Sequence, residues 1–290
     1  MKLGISSYAY SKLTSTGKMD IFDVIKKTKE IGYDAIEFSN LPATGKEKVK
    51  LAKKVKLACE NEDLYIANYA TPADMLKGSE GNLLNEIERL KSEVLIAKTL
   101  GVDKMRHDAT FGYNASDPKA RSFEKNLPII AEGCYKLTEY AKDFGIKTMV
   151  ENHGKYSQDS SRIEMLVNEV DNDNFGVLLD VGNFLCVDEN PIEAMGRLIT
   201  YAFHVHFKDF HVKPGINFNP GEGWFLTRYG NYLRGAIIGH GEVPLAQCIN
   251  ILNAYNYNGT LSIEFEGMED PLLGVTLGYK NLKRLVNKDN

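Results

Sequence analysis

The chain of 290 residues carries 35 Lys and Arg against 39 Asp and Glu, a formal net charge of −4, and 43% of it is hydrophobic. A weakly acidic chain without a long Lys/Arg block argues against nucleic acid as a partner, and the lack of an apolar run of roughly 18 residues argues against a membrane span. The length exceeds the usual domain range of roughly 100–200 residues but suits one α/β barrel of about 250, so no domain boundary is required.

The N-terminal MKLGISSYAY opens on a strand-like run and lacks the long apolar stretch and small-residue cleavage site of a signal peptide, so a cytoplasmic protein is expected. From there, short apolar runs alternate with helical patterns eight times. Strands are predicted at KLGISS, DAIEFS, LYIANY, KMRHD, KTMVEN, GVLLDV, FHVHFK and LSIEFE, and helices near 20–31, 45–62, 83–100, 118–144, 159–170, 191–199, 244–255 and 271–287. That count is the one a closed (β/α)8 TIM barrel spanning residues 1–290 as a single domain requires.

The helices carry their own signals. Lys46, Lys48, Lys50, Lys53, Lys54 and Lys56, spaced around Leu51, Val55 and Ala58, read as a solvated helix face. Leu83, Ile87, Leu90, Val94 and Ala97 form one apolar stripe, and Gly32, Gly101 and Gly145 each stand where a left-handed residue closes a helix. Ser161 with Glu164 has the capping-box pattern, while Asn190, Pro191 and Glu193 give an N-cap, a first-turn proline and an N3 acid. Cys59, Cys134, Cys186 and Cys248 are scattered without a C-x-x-C pair and are expected as reduced, buried thiols. Residues 210–242 break the rhythm; a loop of that length is expected to be a lid or substrate wall.

Four strands of the second half end in residues that bind divalent ions: MVENH with Glu151, VLLDVGN with Asp180, FHVHFKD with His206 and LSIEFEG with Glu264. Strand parity lets all four point into the barrel: His204, His206 and Lys208 alternate with Phe203, Val205 and Phe207, and Ser262, Glu264 and Glu266 with Leu261, Ile263 and Phe265, while Glu151 shares a face with His153 and Asp180 follows three apolar residues. Each acid alone would be read as a helix cap or a solvated loop residue. Three carboxylates converging in a barrel mouth would cost several kcal/mol without a cation, so one divalent metal, Mn²⁺, Mg²⁺, Co²⁺ or Zn²⁺, is expected among them.

The ordered motifs V-E-N-H-G, L-L-D-V-G-N, H-V-H-F-K-D and S-I-E-F-E-G, on an eight-strand rhythm covering nearly the whole chain, resemble the xylose-isomerase-like TIM-barrel superfamily. That group includes sugar phosphate isomerases and epimerases, inosose isomerases and dehydratases, and endonuclease IV. The resemblance implies that Glu151, Asp180, His206 and Glu264 hold the ion and that Glu151 and Glu264 also exchange protons with substrate. A metal that polarises a carbonyl and stabilises an enediolate, with a carboxylate on either side as base and acid, makes chemical sense of that set. A hydride shift between adjacent carbons is compatible with it too.

The expected activity is therefore a divalent-metal-dependent isomerase or epimerase of a monosaccharide, sugar phosphate or cyclitol. The alternative is a dehydratase of a keto-cyclitol or sugar acid using the same site. Asn183 stands where many epimerases and the endonucleases have a His, and an amide is a poor zinc ligand; the only Asp-x-His triplet, Asp209–His211, follows the H-V-H strand directly. An apurinic endonuclease is disfavoured accordingly. A non-catalytic sugar-binding barrel is the remaining class.

Other residues near the mouth admit two roles each. His153, Lys208 and Asn183 are expected to bind substrate oxygens or to support the ligands from behind. His107 is placed facing the mouth or as a satisfied core or rim histidine, and Glu37 as a substrate-orienting group or a partner of Lys208. Trp224, the one tryptophan, is a sugar-stacking ring or a loop anchor, and Arg228, Arg234 or Lys213 would serve a phosphate if the substrate carries one. A homo-oligomer is compatible with the sequence, which does not set the oligomeric state.

Overall fold

The computed structural model describes residues 1–113 and 122–287. Its strands are β1 (Lys2–Ser6), β2 (Ala35–Ser39), β3 (Tyr65–Thr71), β4 (Lys104–His107), β5 (Lys147–Glu151), β6 (Phe175–Asp180), β7 (Ala202–Phe207), β8 (Asp209–Lys213), β9 (Phe225–Leu226), β10 (Tyr232–Ala236) and β11 (Thr260–Ile263). Eight of them close into a parallel barrel in the order β1-β11-β7-β6-β5-β4-β3-β2. Helices at Ile21–Ile31, Gly45–Asn61, Leu83–Leu100, Phe123–Lys142, Ser160–Val170, Pro191–Leu198, Leu245–Ala254 and Pro271–Asn287 surround it. Residues 118–121 of the helix predicted near 118–144 lie outside the described residues.

Alternation within the strands builds two different interiors. One parity is apolar and packs under the helices: Ile5, Ile36, Phe38, Val150, Val177, Leu179, Val205, Phe207, Leu261 and Ile263 are all buried. Burying each such side chain contributes about 1.5–3 kcal/mol. The other parity lines the barrel and is mostly small or polar, with Met149 and Leu178 as large apolar members, and the register aligns it into layers: Ser6 opposite Glu37, Glu37 opposite Asn68, Ala70 opposite Arg106, Asp180 opposite His206 and His206 opposite Ser262. The core that holds the fold together thus lies outside the barrel wall, leaving the inside for polar groups.

The stretch expected as a lid begins instead as a second sheet. Strands β8, β10 and β9 form an antiparallel sheet in the order β8-β10-β9, rooted by Phe210, Leu233 and Cys186 packing together. Asp209 fastens its return: its carboxylate accepts the backbone N–H groups of Phe210, Gly239, Gly241 and Val243 at 2.9–3.1 Å. Pro214 and the Gly and Asn residues around it hide these strands, because turn residues interrupt the alternation that announces a strand.

Two local expectations change. The helix expected to start at a Ser161–Glu164 capping box is capped by Asp159, which accepts from Arg162 N at 3.1 Å, and Glu164 instead meets Arg197 at 3.0 Å. An Asp in the extended conformation two residues earlier wins the capping role. Lys48 does not belong to a solvated face: it is buried, 2.8 Å from both carboxylate oxygens of Glu93 and 2.6 Å from Asn40 Oδ1, with the Tyr69 hydroxyl on the same carboxylate at 2.5 Å. Helical periodicity places Lys48 on an edge, and only the neighbouring helix Leu83–Leu100 supplies the acid that draws it in.

Removing one partner of this pair strands a buried charge, which costs about 3–5 kcal/mol, whereas exchanging both for apolar groups is close to neutral. Lys48→Ala is expected to lower the urea midpoint of unfolding sharply, and the double variant Lys48→Met with Glu93→Leu to regain most of the loss. Equal stability of the single variant and the wild type would show that the pair is solvated.

Candidate metal centre

Each of the four expected ligands arrives on its own strand end. Asp180, the last residue of β6, is gripped by the side chain of Asn152, whose Nδ2 donates to Asp180 O at 2.9 Å and whose Oδ1 accepts from Asp180 N at 2.8 Å. Gly182 N and Asn183 N donate to Asp180 Oδ1, at 2.8 and 2.9 Å. Its Oδ2 is left buried with no hydrogen-bond partner. Gly182 permits this turn because a Cβ there would stand 2.5 Å from the Lys208 carbonyl oxygen.

His206, on β7, donates from Nε2 to Glu37 Oε1 at 2.8 Å, which orients the ring so that Nδ1 points into the mouth. That Nδ1 has no hydrogen-bond partner and lies 3.8 Å from one oxygen each of Glu151, Asp180 and Glu264. Glu151, ending β5, receives Asn183 Nδ2 on Oε1 at 2.9 Å and the Arg106 guanidinium on Oε2 at 2.5 Å. Glu264 stands just past β11, its N–H bonded to Phe207 O at 3.0 Å and its carboxylate 2.6 Å from Lys208 Nζ. One ligand atom from each of the four lies within 4.8 Å of the others.

Two buried ligand atoms without a hydrogen bond, Asp180 Oδ2 and His206 Nδ1, aimed at a common point with two more carboxylates beside them, fit a divalent ion of hard to borderline character. The donation of His206 Nε2 to Glu37 is the outer-shell carboxylate that metal-bound imidazoles normally have. Lys208 and Arg106 modify the expectation that only a metal could offset these carboxylates. Lys208 Nζ also reaches Asn183 Oδ1 at 3.1 Å, Glu266 at 3.4 Å and Asp180 at 3.5 Å, and Arg106 bridges Glu151 and Asp108.

Electrostatics follow this crowding. Burial opposes charge on His206, but Glu37 and Glu264 outweigh it and lift its pKa to about 10. Burial pushes Asp180 up to about 6, with Lys208 pulling the other way. For Glu151 burial also favours the neutral form, yet Arg106 and then His206 hold its pKa below the usual carboxylate value. Glu37 is brought well below it by the two imidazoles in spite of complete burial. Lys208 is likewise kept firmly charged by Asp180 and Glu264 against its desolvation.

The remaining expected residues divide. His153 lines the cavity, with Nδ1 3.1 Å from Asp108 Oδ1. Glu37 lines the cavity and touches His204 and His206, not Lys208. His107 faces the helices: it is fully buried, Nδ1 bonds Asp108 O, its ring is 6.3 Å from Phe175, and burial lowers its pKa to about 4. Arg234 is on β10 of the small sheet and Trp224 just before β9, with Arg234 and Lys213 each 5.5 Å from the Trp224 ring, and neither Trp224 nor Arg234 lines the metal cavity. Arg228 pairs with Asp159 at 2.9 Å. Asp209 spends its carboxylate on backbone N–H groups, so the Asp209–His211 triplet offers the mouth no second metal site.

Arg106, Asp108, Tyr8 and His204 are members of the site that residue types alone did not single out. Parity held the signal for Arg106: Met105 shares a face with His107, and an apolar Met belongs under the helices. The cavity they form with the ligands is about 150 Å³ and is lined by Tyr8, Arg106, Glu151, His153, His206 and Glu264 among others.

Comparison with known proteins follows the same lines. Residues 25–285 match the xylose isomerase-like TIM barrel family. An inosose dehydratase of Clostridium botulinum (strain Alaska E43 / Type E3) is 29% identical over 166 residues, 56% of this chain and 54% of the relative, so the match spans about half the length of that protein. Among solved structures, a probable 3-DHS dehydratase involved in petrobactin synthesis from Bacillus anthracis superposes with a TM-score of 0.74 at 16% identity, covering 100% of both chains. A D-psicose 3-epimerase from Clostridium cellulolyticum H10 gives 0.74 at 15% identity over 99% of each. At those identities the structures attest the fold. The chain belongs to the xylose isomerase-like TIM barrel family.

Proposed function

We propose that this protein is a divalent-metal-dependent isomerase or epimerase that moves a proton beside the carbonyl of a monosaccharide, sugar phosphate or cyclitol. The observation that carries the reading is the pair Glu151 and Glu264, set on β5 and just past β11 with β6 and β7 between them, each beside its own cation, Arg106 and Lys208. A divalent ion held by Glu151, Asp180, His206 and Glu264 would polarise the carbonyl and offset the charge that develops on its oxygen.

The side chains supply the rest. Arg106 keeps Glu151 ionised and so available to accept the carbon-bound proton, while Glu264, on the other side of His206, returns to the opposite face of the substrate a proton it has taken up from solvent. Asn183 aligns Glu151 through its amide and Lys208 through its carbonyl oxygen, which couples the two halves of the site. Lys208 and His153 present donors to substrate hydroxyls.

A second reading, dehydration of a keto-cyclitol or sugar acid, begins with the same proton removal. It is favoured by the likeness to inosose dehydratases and by Lys208, a charged ammonium beside Glu264 that can assist a departing hydroxyl.

Glu151→Gln and Glu264→Gln are each expected to slow Mn²⁺-dependent deuterium incorporation from D₂O into ketoses or inososes by about 10²-fold or more, measured by NMR. Wild-type exchange in both variants would sink the proposal. Metal uptake should also report Asp180. His206 and Asp180 hold their protons up to about pH 10 and about pH 6 and both must give them up to bind an ion, so calorimetric affinity for Mn²⁺ should fall as pH drops below 8 and fall more steeply through about 6. Asp180→Asn is expected to bind Mn²⁺ weakly at every pH, and an affinity flat from pH 5 to 8 in the wild type would contradict the assignment.

A further inference from the structure

We infer that Glu37, backed by His204, is a positioning residue of the metal centre: it crosses the barrel interior from β2 to hold His206 in its ligating orientation and adds the charge that retains a dication on Nδ1. The inference rests on the metal-dependent reading above and extends the centre beyond its four ligands.

Glu37 and His206 stand on strands that are not neighbours, since β1 and β11 lie between β2 and β7 in the closed barrel. The carboxylate therefore reaches its partner through the interior, 169 residues away in sequence. Inward positions on the two intervening strands are small. Gly4 on β1 is one of them; a Cβ there would stand 2.6 Å from Thr260 Cγ2 and 3.1 Å from Ser262 Oγ. Ser6 on β1 and Ser262 on β11 are the others, both with no exposed surface. Residues of this size leave the interior open to a side chain from β2.

Each carboxylate oxygen serves one imidazole. Glu37 Oε1 lies 2.8 Å from His206 Nε2, and Oε2 lies 2.9 Å from His204 Nε2, which is also 2.9 Å from Ser262 Oγ. Asn68 Nδ2 donates to Oε2 at the longer distance of 3.4 Å. An ionised carboxylate only accepts hydrogen bonds, so both Nε2 atoms carry hydrogen, and Nδ1 is the atom His206 has left for an ion.

A glutamine could accept the bond from His206 without a buried charge. The charge is costly here: Glu37 has no exposed surface and, among the described residues, no Lys or Arg pairs with it, only the two imidazoles. Its contribution is to the ion. A dication at Nδ1 carries twice the charge of a proton at that atom, so a fixed negative charge behind the ring favours the ion over the proton. His204 supplies the donor that the second buried oxygen requires, which keeps the first in place for His206.

Calorimetric titration of the full chain with Mn²⁺ tests this apart from turnover. Glu37→Gln keeps the shape and an acceptor but removes the charge, and is expected to bind Mn²⁺ about 10–100-fold more weakly than the wild type. His204→Leu is expected to lose about tenfold, and His204→Gln, whose amide restores a donor, to recover most of that loss. Urea unfolding of the metal-free variants reads the fold separately, and midpoints close to that of the wild type are expected. Wild-type affinity in Glu37→Gln, a loss in His204→Leu that His204→Gln does not recover, or metal-free midpoints that fall in parallel with affinity would each overturn the inference. A wild type that takes up no Mn²⁺ would remove the metal centre altogether. A wild type that binds Mn²⁺ and exchanges deuterium, beside variants that bind it equally well, would remove only the roles of Glu37 and His204.

Discussion

Carboxylates gather at the mouth of this barrel faster than its own cations can neutralise them, and most of the local structure is a response to that excess. Glu37, Glu151, Asp180 and Glu264 meet around one imidazole in a region from which water is largely excluded, where an uncompensated charge is costly. Arg106 answers Glu151, Lys208 answers Glu264, and Glu37 is answered from two sides by His204 and His206. What is left over is specific: one oxygen of Asp180 and one nitrogen of His206, both buried and unpartnered, facing the same point. Protein groups partner the outer atoms and leave these two inner ones without a hydrogen bond, at the point where the proposed divalent ion would be held.

The backbone is shaped to the same end. Asn152 spans β5 and β6 with two hydrogen bonds and so fixes the turn that carries Asp180. Gly182 lets that turn touch the Lys208 backbone, bringing Asn183 within reach of both Glu151 and Lys208. These contacts cost little stability to maintain, because the apolar core lies between the barrel wall and the helices and carries the fold. The interior is thereby free for a polar, strained arrangement of charges. The small sheet β8-β10-β9 continues from the end of β7 and is anchored by Asp209.

The sequence was legible wherever its signal was local or periodic. Short apolar runs between helical patterns marked all eight barrel strands, and alternation within FHVHFKD and LSIEFEG put His206 and Glu264 on the inner face without reference to any structure. Helix ends marked by Gly32, Gly101 and Asn190 were equally plain, since a left-handed residue or a side-chain cap is a property of a few adjacent residues. The order of the four ligand motifs along the chain also identified the family.

Other features depend on who meets whom across the barrel, and no local pattern carries that. Lys48 read as solvent-facing until the helix beside it brought Glu93 within 2.8 Å. Glu37 read as a substrate-orienting group or a partner of Lys208; it does line the cavity, but the strands that flank it set its carboxylate against His204 and His206 instead of Lys208. Arg106 and His107 are adjacent, so a single step of parity decided which one joined the site. By itself the sequence determined the periodicities, the caps and the kinds of atoms available to a metal, because these are written in residue type and spacing. Only the tertiary structure decided the pairings, the depths and the unpartnered atoms, because charge and burial are settled between strands and helices that are far apart in the chain.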